Sequence, residues 1–118
     1  MADPIEATTD DTSSADDDLE PVMVTMTFRT ADSDALLAVL SKYVVLCRGA
    51  TGCRNVDLVA SITRPGRLVI IQKWDSGKHQ SEHFDSPVMV DMATACTGLL
   101  SEPPDIDLYE AVTMHDLK

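Results

Sequence analysis

Residues 54–74 read RNVDLVASITRPGRLVIIQKW. Two apolar runs flank Arg64-Pro65-Gly66-Arg67, and a proline–glycine pair in so short a break signals a turn. Before the break, Val56, Leu58, Ala60 and Ile62 alternate with Asn55, Asp57, Ser61 and Thr63, the period of a strand with one buried face. Val59 interrupts the polar set. After the break, Leu68 and Ile70 point one way and Val69 and Ile71 the other. Two strands joined by a tight turn pair antiparallel. The stretch therefore predicts a hairpin over 54–63 and 68–74.

Working outward, VMVTMTFR at 22–29 is another strand, with Pro21 at its start, where a missing ladder donor is tolerated. Val22, Val24, Met26 and Phe28 share one face. The period then changes. Leu36, Leu40, Tyr43, Val44 and Cys47 recur at helical spacing, Asp32 is placed to cap, and Gly49 and Gly52 supply a stop. Beyond Trp74, residues 75–85 predict a short helix. Ser86-Pro87 opens another, with Met89, Met92, Ala93 and Cys96 as its apolar stripe. Pro103-Pro104 forces an extended link, and a last strand is expected over 106–114. Strand, helix, strand, strand, helix, strand is an α+β, ferredoxin-like βαββαβ plan with one four-stranded antiparallel sheet.

That plan leaves one sheet face uncovered, because both helical segments pack on the other. A solvated face should be polar, yet 68–74 is apolar on both. A second copy of the chain packed sheet to sheet would cover it. A homodimer is therefore expected.

The chain has 118 residues, 20 acids and 9 bases, for a formal net charge of −11. Eight of those acids, and no base, lie in residues 1–20, leaving 12 acids against 9 bases in the rest. The acidity belongs to a leader with little to bury, expected to be disordered, ahead of one domain over 21–118. The leader lacks the basic start and apolar core of an export signal. No apolar stretch is long enough to span a bilayer. No basic stripe fits nucleic acid. The three cysteines, Cys47, Cys53 and Cys96, form no C-x-x-C, and reduced thiols in the cytoplasm are expected.

Residues 79–83 spell H-x-x-E-H, the letters of an inverted zinc-protease helix. Gly77 and Pro87 confine that helix to about two turns, a poor platform given the cost of helix nucleation. A solvated polar helix is the better reading, and no metal is expected. His79, beside Lys78, is expected to be exposed, and His115 carries no role.

Gly52-Cys53, Pro65-Gly66-Arg67, the strand ending in Trp74, His83, Ser86-Pro87, Leu99-Leu100 and Tyr109 follow one another in an order that resembles the antibiotic biosynthesis monooxygenase (ABM) domain family. The resemblance covers roughly residues 21–118. It implies a dimeric α+β barrel with a pocket between sheet and helices in each subunit. Members of that family are functionally mixed. Some oxidise phenols or quinols with dioxygen and no metal or flavin, some degrade haem, and others isomerise small molecules.

For this chain the resemblance implies a cofactor-independent monooxygenase acting on an aromatic phenol or quinol. An enol or phenol ionised in an apolar pocket can pass an electron to dioxygen. The protein must handle one proton and stabilise the anion. Histidine suits the first task near neutral pH, and an indole or amide N–H suits the second. By family position the candidates are His83 and Trp74, with Asn55 a further amide. By strand parity Leu68 and Ile70 join Trp74 as an apolar substrate floor. His83 is expected to be replaceable without loss of the fold. The haem reading asks for an asparagine in the first strand, where Thr25 and Thr27 stand instead, although haem binding through His83 remains chemically open. A non-catalytic dimeric module that binds a small ligand is the other alternative.

Overall fold

The computed structural model describes residues 20–113. The expected disorder of the acidic leader falls outside them except at Glu20, as do Met114 and His115. The elements are β1 (Val22–Arg29), α1 (Ser33–Arg48), β2 (Cys53–Ala60), β3 (Arg67–Trp74), α2 (Gly77–Phe84), α3 (Pro87–Ala95) and β4 (Asp105–Glu110). All neighbouring strands are antiparallel, in the order β2-β3-β1-β4. This is the ferredoxin-like sheet that the element order predicts.

The β2–β3 hairpin and β1 set the inner face. Val24, Met26 and Phe28 of β1 lie opposite Gln72, Ile70 and Leu68 of β3, and all six are buried. The turn depends on Gly66, whose φ of +82° is open to glycine at little steric cost. Its Cβ position would run into the Thr30 carbonyl, and its own carbonyl accepts from Thr30 N–H at 2.9 Å.

α1 forms as its spacing predicts. Asp32 caps it, with Oδ1 accepting from the Ala35 N–H at 3.1 Å. Leu36, Leu40, Tyr43, Val44 and Cys47 are all buried on the sheet side. Ser76 caps α2 by accepting from the His79 N–H at 3.2 Å. α3 opens on Ser86-Pro87, but the Ser86 side chain makes no capping hydrogen bond.

Two strand ends differ from expectation. β2 stops at Ala60, and Ile62 is 97% exposed. β2 is an edge strand, and after Ser61 N–H bonds to Arg67 O the chain has left the ladder. Alternation therefore runs past the burial that usually causes it. β4 ends at Glu110, and Val112 is exposed. The α3 stripe is also narrower than expected: Met92 and Cys96 are buried, but Ala93 is exposed.

The outer sheet face carries Met23, Thr25, Thr27, Val69 and Ile71, all half-buried, with Val59 and Tyr109 exposed beside them. Among the described residues no helix packs on this face.

Candidate active site

β3 points Leu68, Ile70, Gln72 and Trp74 inward at every second residue. Three are apolar. Gln72 is not, and it is wholly buried between Val24 and Val56 on the neighbouring strands. A buried amide without partners is costly, so its hydrogen bonds matter. Its Oε1 accepts from the Trp74 indole N–H at 3.0 Å. Its Nε2 donates to the Tyr43 hydroxyl oxygen at 2.6 Å. Tyr43, from the buried stripe of α1, lies 2.8 Å from His83 Nε2, from the last turn of α2.

Four side chains from three elements thus form one buried polar chain, Trp74–Gln72–Tyr43–His83. Ring packing reinforces it. The Trp74 and His83 centroids lie 4.8 Å apart and those of Tyr43 and His83 5.7 Å apart. Burial raises the Tyr43 phenol well above its ordinary range and lowers the His83 imidazole below its own. Both side chains are therefore held neutral near pH 7.

His83 is only 5% exposed, but it borders a groove of about 360 Å³ where the end of α1 faces α2. Tyr43 borders a second hollow of about 410 Å³ between α1 and α3. Leu46 and Val88 line both, so the two form neighbouring halves of one helix-lined groove. The first half adds Glu82 and Ser86, and the second adds Lys42 and Asp91.

The structure brings Trp74 and His83 together. Ile70 and Trp74 have no accessible surface, and Leu68 has 2%. These three pack as core behind the groove rather than as an open floor, because α1 closes directly on the sheet. Asn55 does not join them. It lies opposite Lys73, on the outer face, and is exposed with a 3.5 Å contact to Asp57. The expectation that His83 is no interior anchor also gives way: the side chain is packed on an indole and bonded to a buried phenol.

Sequence reading missed Gln72 and Tyr43. Gln72 carried a signal: it is a polar residue at an inward position between Ile70 and Trp74. Tyr43 was visible only as one more apolar stripe residue.

The H-x-x-E-H histidines diverge. His79 Nδ1 pairs with Asp75 Oδ1 at 2.6 Å, while His83 turns inward to Tyr43. Half-buried His79 packs over Gly52, leaving no room for a Cβ there, and the Gly52 φ of +83° favours glycine as well. Among the described residues no cluster of three His, Cys, Asp or Glu could hold a metal ion. Nor do the residues fit an axial haem ligand at His83 Nε2, because Tyr43 occupies that nitrogen and Trp74 covers the ring. All three cysteines are free thiols. No helix among the described residues is long and apolar enough to cross a membrane.

A four-stranded antiparallel sheet with its helices on one face, and a buried polar chain reaching a groove between those helices, defines a small α+β domain of the ferredoxin-like class. The sequence profile of the antibiotic biosynthesis monooxygenase family matches residues 21–95, and the chain belongs to that family. Comparison with curated proteins finds no match. Among solved structures, Rv0793 from Mycobacterium tuberculosis superposes with a TM-score of 0.73 at 27% identity, covering 81% of this chain and 99% of that one. SnoaB, a cofactor-independent oxygenase from Streptomyces nogalater, gives 0.72 at 16% identity, covering 80% and 96%. PA3566 from Pseudomonas aeruginosa gives 0.71 at 20%, covering 80% and 96%. The last two likenesses are of fold.

Proposed function

We propose that this chain is a cofactor-independent oxygenase acting on an aromatic phenol, quinol or anthrone-type substrate held in the groove between α1 and the α2–α3 pair. One observation carries the reading: the polar chain Trp74–Gln72–Tyr43–His83 crosses a largely apolar interior and reaches the groove at His83. A buried polar network is costly when any member is left unpaired, and fully satisfied it holds its members rigidly in place. The family and the fold shared with SnoaB, itself a cofactor-independent oxygenase, support the same reading.

The chemistry asks little of the protein. An anthrone-type methylene loses a proton to give a delocalised enolate. The enolate passes one electron to dioxygen, the resulting radical pair forms a C–O bond, and the peroxide anion takes back from solvent the proton that the methylene released to it. Loss of water leaves the carbonyl, so that one methylene and one dioxygen give one ketone and one water. The protein orients the ring and stabilises the oxyanion, a task suited to a fixed N–H in a water-poor site. In this reading His83 meets the substrate oxygen, and Tyr43, Gln72 and Trp74 position it.

The outer sheet face, with Met23, Val69 and Ile71 half-exposed, is the surface that a second copy would cover in a homodimer.

Oxygen uptake with an anthrone substrate tests the function. We expect uptake without added metal or flavin, reduced about 10²-fold or more in His83→Gln, the usual scale for one oxyanion donor or acid–base group. Anthrone binding without uptake would leave a small-ligand-binding module as the better account.

A further inference from the structure

The hydrogen bonds ending at His83 run in one direction, and we infer that they fix His83 as a donor toward the groove, so that the groove takes the ionised oxygen of a phenol or enol rather than its hydroxyl. The ligand class rests on the function proposed above; the direction of the relay does not.

The far end of the chain sets that direction. An indole nitrogen can only donate, so Gln72 must turn Oε1 toward Trp74. Its NH2 group, also donor-only, is then the atom facing Tyr43, and the Tyr43 oxygen accepts. The Tyr43 hydrogen is left to find its own acceptor. His83 Nε2 lies 2.8 Å away. Cys47, one turn along the same buried stripe of α1, offers only a thiol sulfur, a weak acceptor beside an imidazole nitrogen. Tyr43 therefore donates to His83 Nε2. A neutral imidazole that accepts at one nitrogen carries its hydrogen on the other. Here that is Nδ1.

Nδ1 has no hydrogen-bond partner among the described residues. The one fully enclosed side-chain N or O atom without a partner among them is Ser86 Oγ, so Nδ1 is not sealed. Both residues line the same half of the groove. An N–H presented there is satisfied by an acceptor. An oxyanion makes the stronger, charge-assisted bond, whereas a hydroxyl finds no lone pair on Nδ1 to receive its proton. Sequence reading expected His83 to handle a proton; the relay gives that handling a direction and holds His83 as a donor. Gln72 and Tyr43 are positioning residues that act through His83.

Two-bond 1H–15N correlation spectra of the imidazole nitrogens, taken above the His83 pKa, read the tautomer directly. We expect Nδ1 to appear as the protonated, pyrrole-type nitrogen and Nε2 as the pyridine-type nitrogen. Tyr43→Phe removes the donor to Nε2 and should shift the population toward the Nε2–H form that free imidazole favours. A pyrrole-type Nε2 in the unmodified protein overturns the relay, as does a folded Tyr43→Phe variant that keeps the Nδ1–H form. The ligand class is read with 4-nitrophenol, whose neutral and ionised forms absorb at different wavelengths. Bound probe should be ionised at a pH where free probe is mostly neutral, and its binding should shift the His83 Nδ1 resonance. Equal or tighter binding of the neutral form overturns the ligand class. A protein with the Nδ1–H tautomer that binds neither form refutes the ligand class and counts against the oxygenase reading. An Nε2–H tautomer refutes the relay and leaves that reading standing.

Discussion

Replacing Tyr43 by phenylalanine deletes one oxygen and leaves the ring to fill its space. No sizeable cavity forms, so the cost is almost wholly that of hydrogen bonds. That oxygen is bonded to Gln72 Nε2 at 2.6 Å and to His83 Nε2 at 2.8 Å, and both partners are buried. Each is left unsatisfied. An orphaned buried polar group costs about 1–3 kcal/mol, and His83 relaxes toward the groove more easily than Gln72 can relax inside the sheet. The expected loss is about 2–4 kcal/mol, a large share of the roughly 5–15 kcal/mol that stabilises a typical domain. Urea unfolding should show a lower midpoint with an unchanged slope. Gln72→Leu provides the second corner of a double-mutant cycle. It orphans the Trp74 N–H but also removes the Gln72 donor that Tyr43→Phe strands. The double variant should therefore lose less than the two single losses combined, by about 1–2 kcal/mol, within the range for residues in one network. A Tyr43→Phe loss under about 0.5 kcal/mol, or additivity within that margin, would refute the idea that these groups act as a unit.

Three further outcomes follow from other parts of the molecule. Ile71→Lys, on the outer sheet face, should convert a dimer into a monomer in sedimentation at micromolar concentration while the thermal transition stays cooperative; an unmodified protein that is already monomeric there sinks the dimer. Cys53 should react with iodoacetamide before Cys47 or Cys96. It is half-buried and its thiol is lowered by the hydrogen bond from Cys47, whereas the Cys47 thiol is raised by that same bond and by burial, and the Cys96 thiol by burial; peptide mapping that finds Cys96 labelled first contradicts this. Stability should fall as pH drops below about 6.5, the ordinary histidine value. Burial lowers the folded-state pKa of His83, so the unfolded chain binds its proton first. His83's contribution is complete above the unfolded pKa and is lost as pH falls through the folded one, at no more than about 1.4 kcal/mol per pH unit. His83→Gln should flatten that part of the profile, and an unchanged slope would contradict the assignment.

Local chemistry made much of the fold legible. Alternation around Pro65-Gly66 marks a hairpin because successive strand residues face opposite sides and a glycine can take the positive φ of the turn. The stripe from Leu36 to Cys47 marks a helix because only that period puts five apolar residues on one face. Short-range rules failed where burial stopped but the pattern continued, at Ile62 beyond an edge strand and at Val112 beyond β4.

The site was half legible. Family position singles out Trp74 and His83, and the tertiary structure brings their rings into tilted contact. Asn55 and the open floor of Leu68 and Ile70 were not so placed. A register shift between Cys53 and Asn55 and the outward parity of Asn55 put its amide on the far side of the sheet, and α1 seals Leu68 and Ile70 into the core. Tyr43 and Gln72 lie 29 residues apart in sequence, and Tyr43 and His83 lie 40 apart. No local period links such positions. A polar residue at an inward strand position signals by itself only that a partner must exist. Which partner, and in which direction the proton points, depends on the docking of α1 and α2 against β3, because hydrogen-bond direction is set by atoms within about 3 Å of one another, and only the packed chain brings them that close.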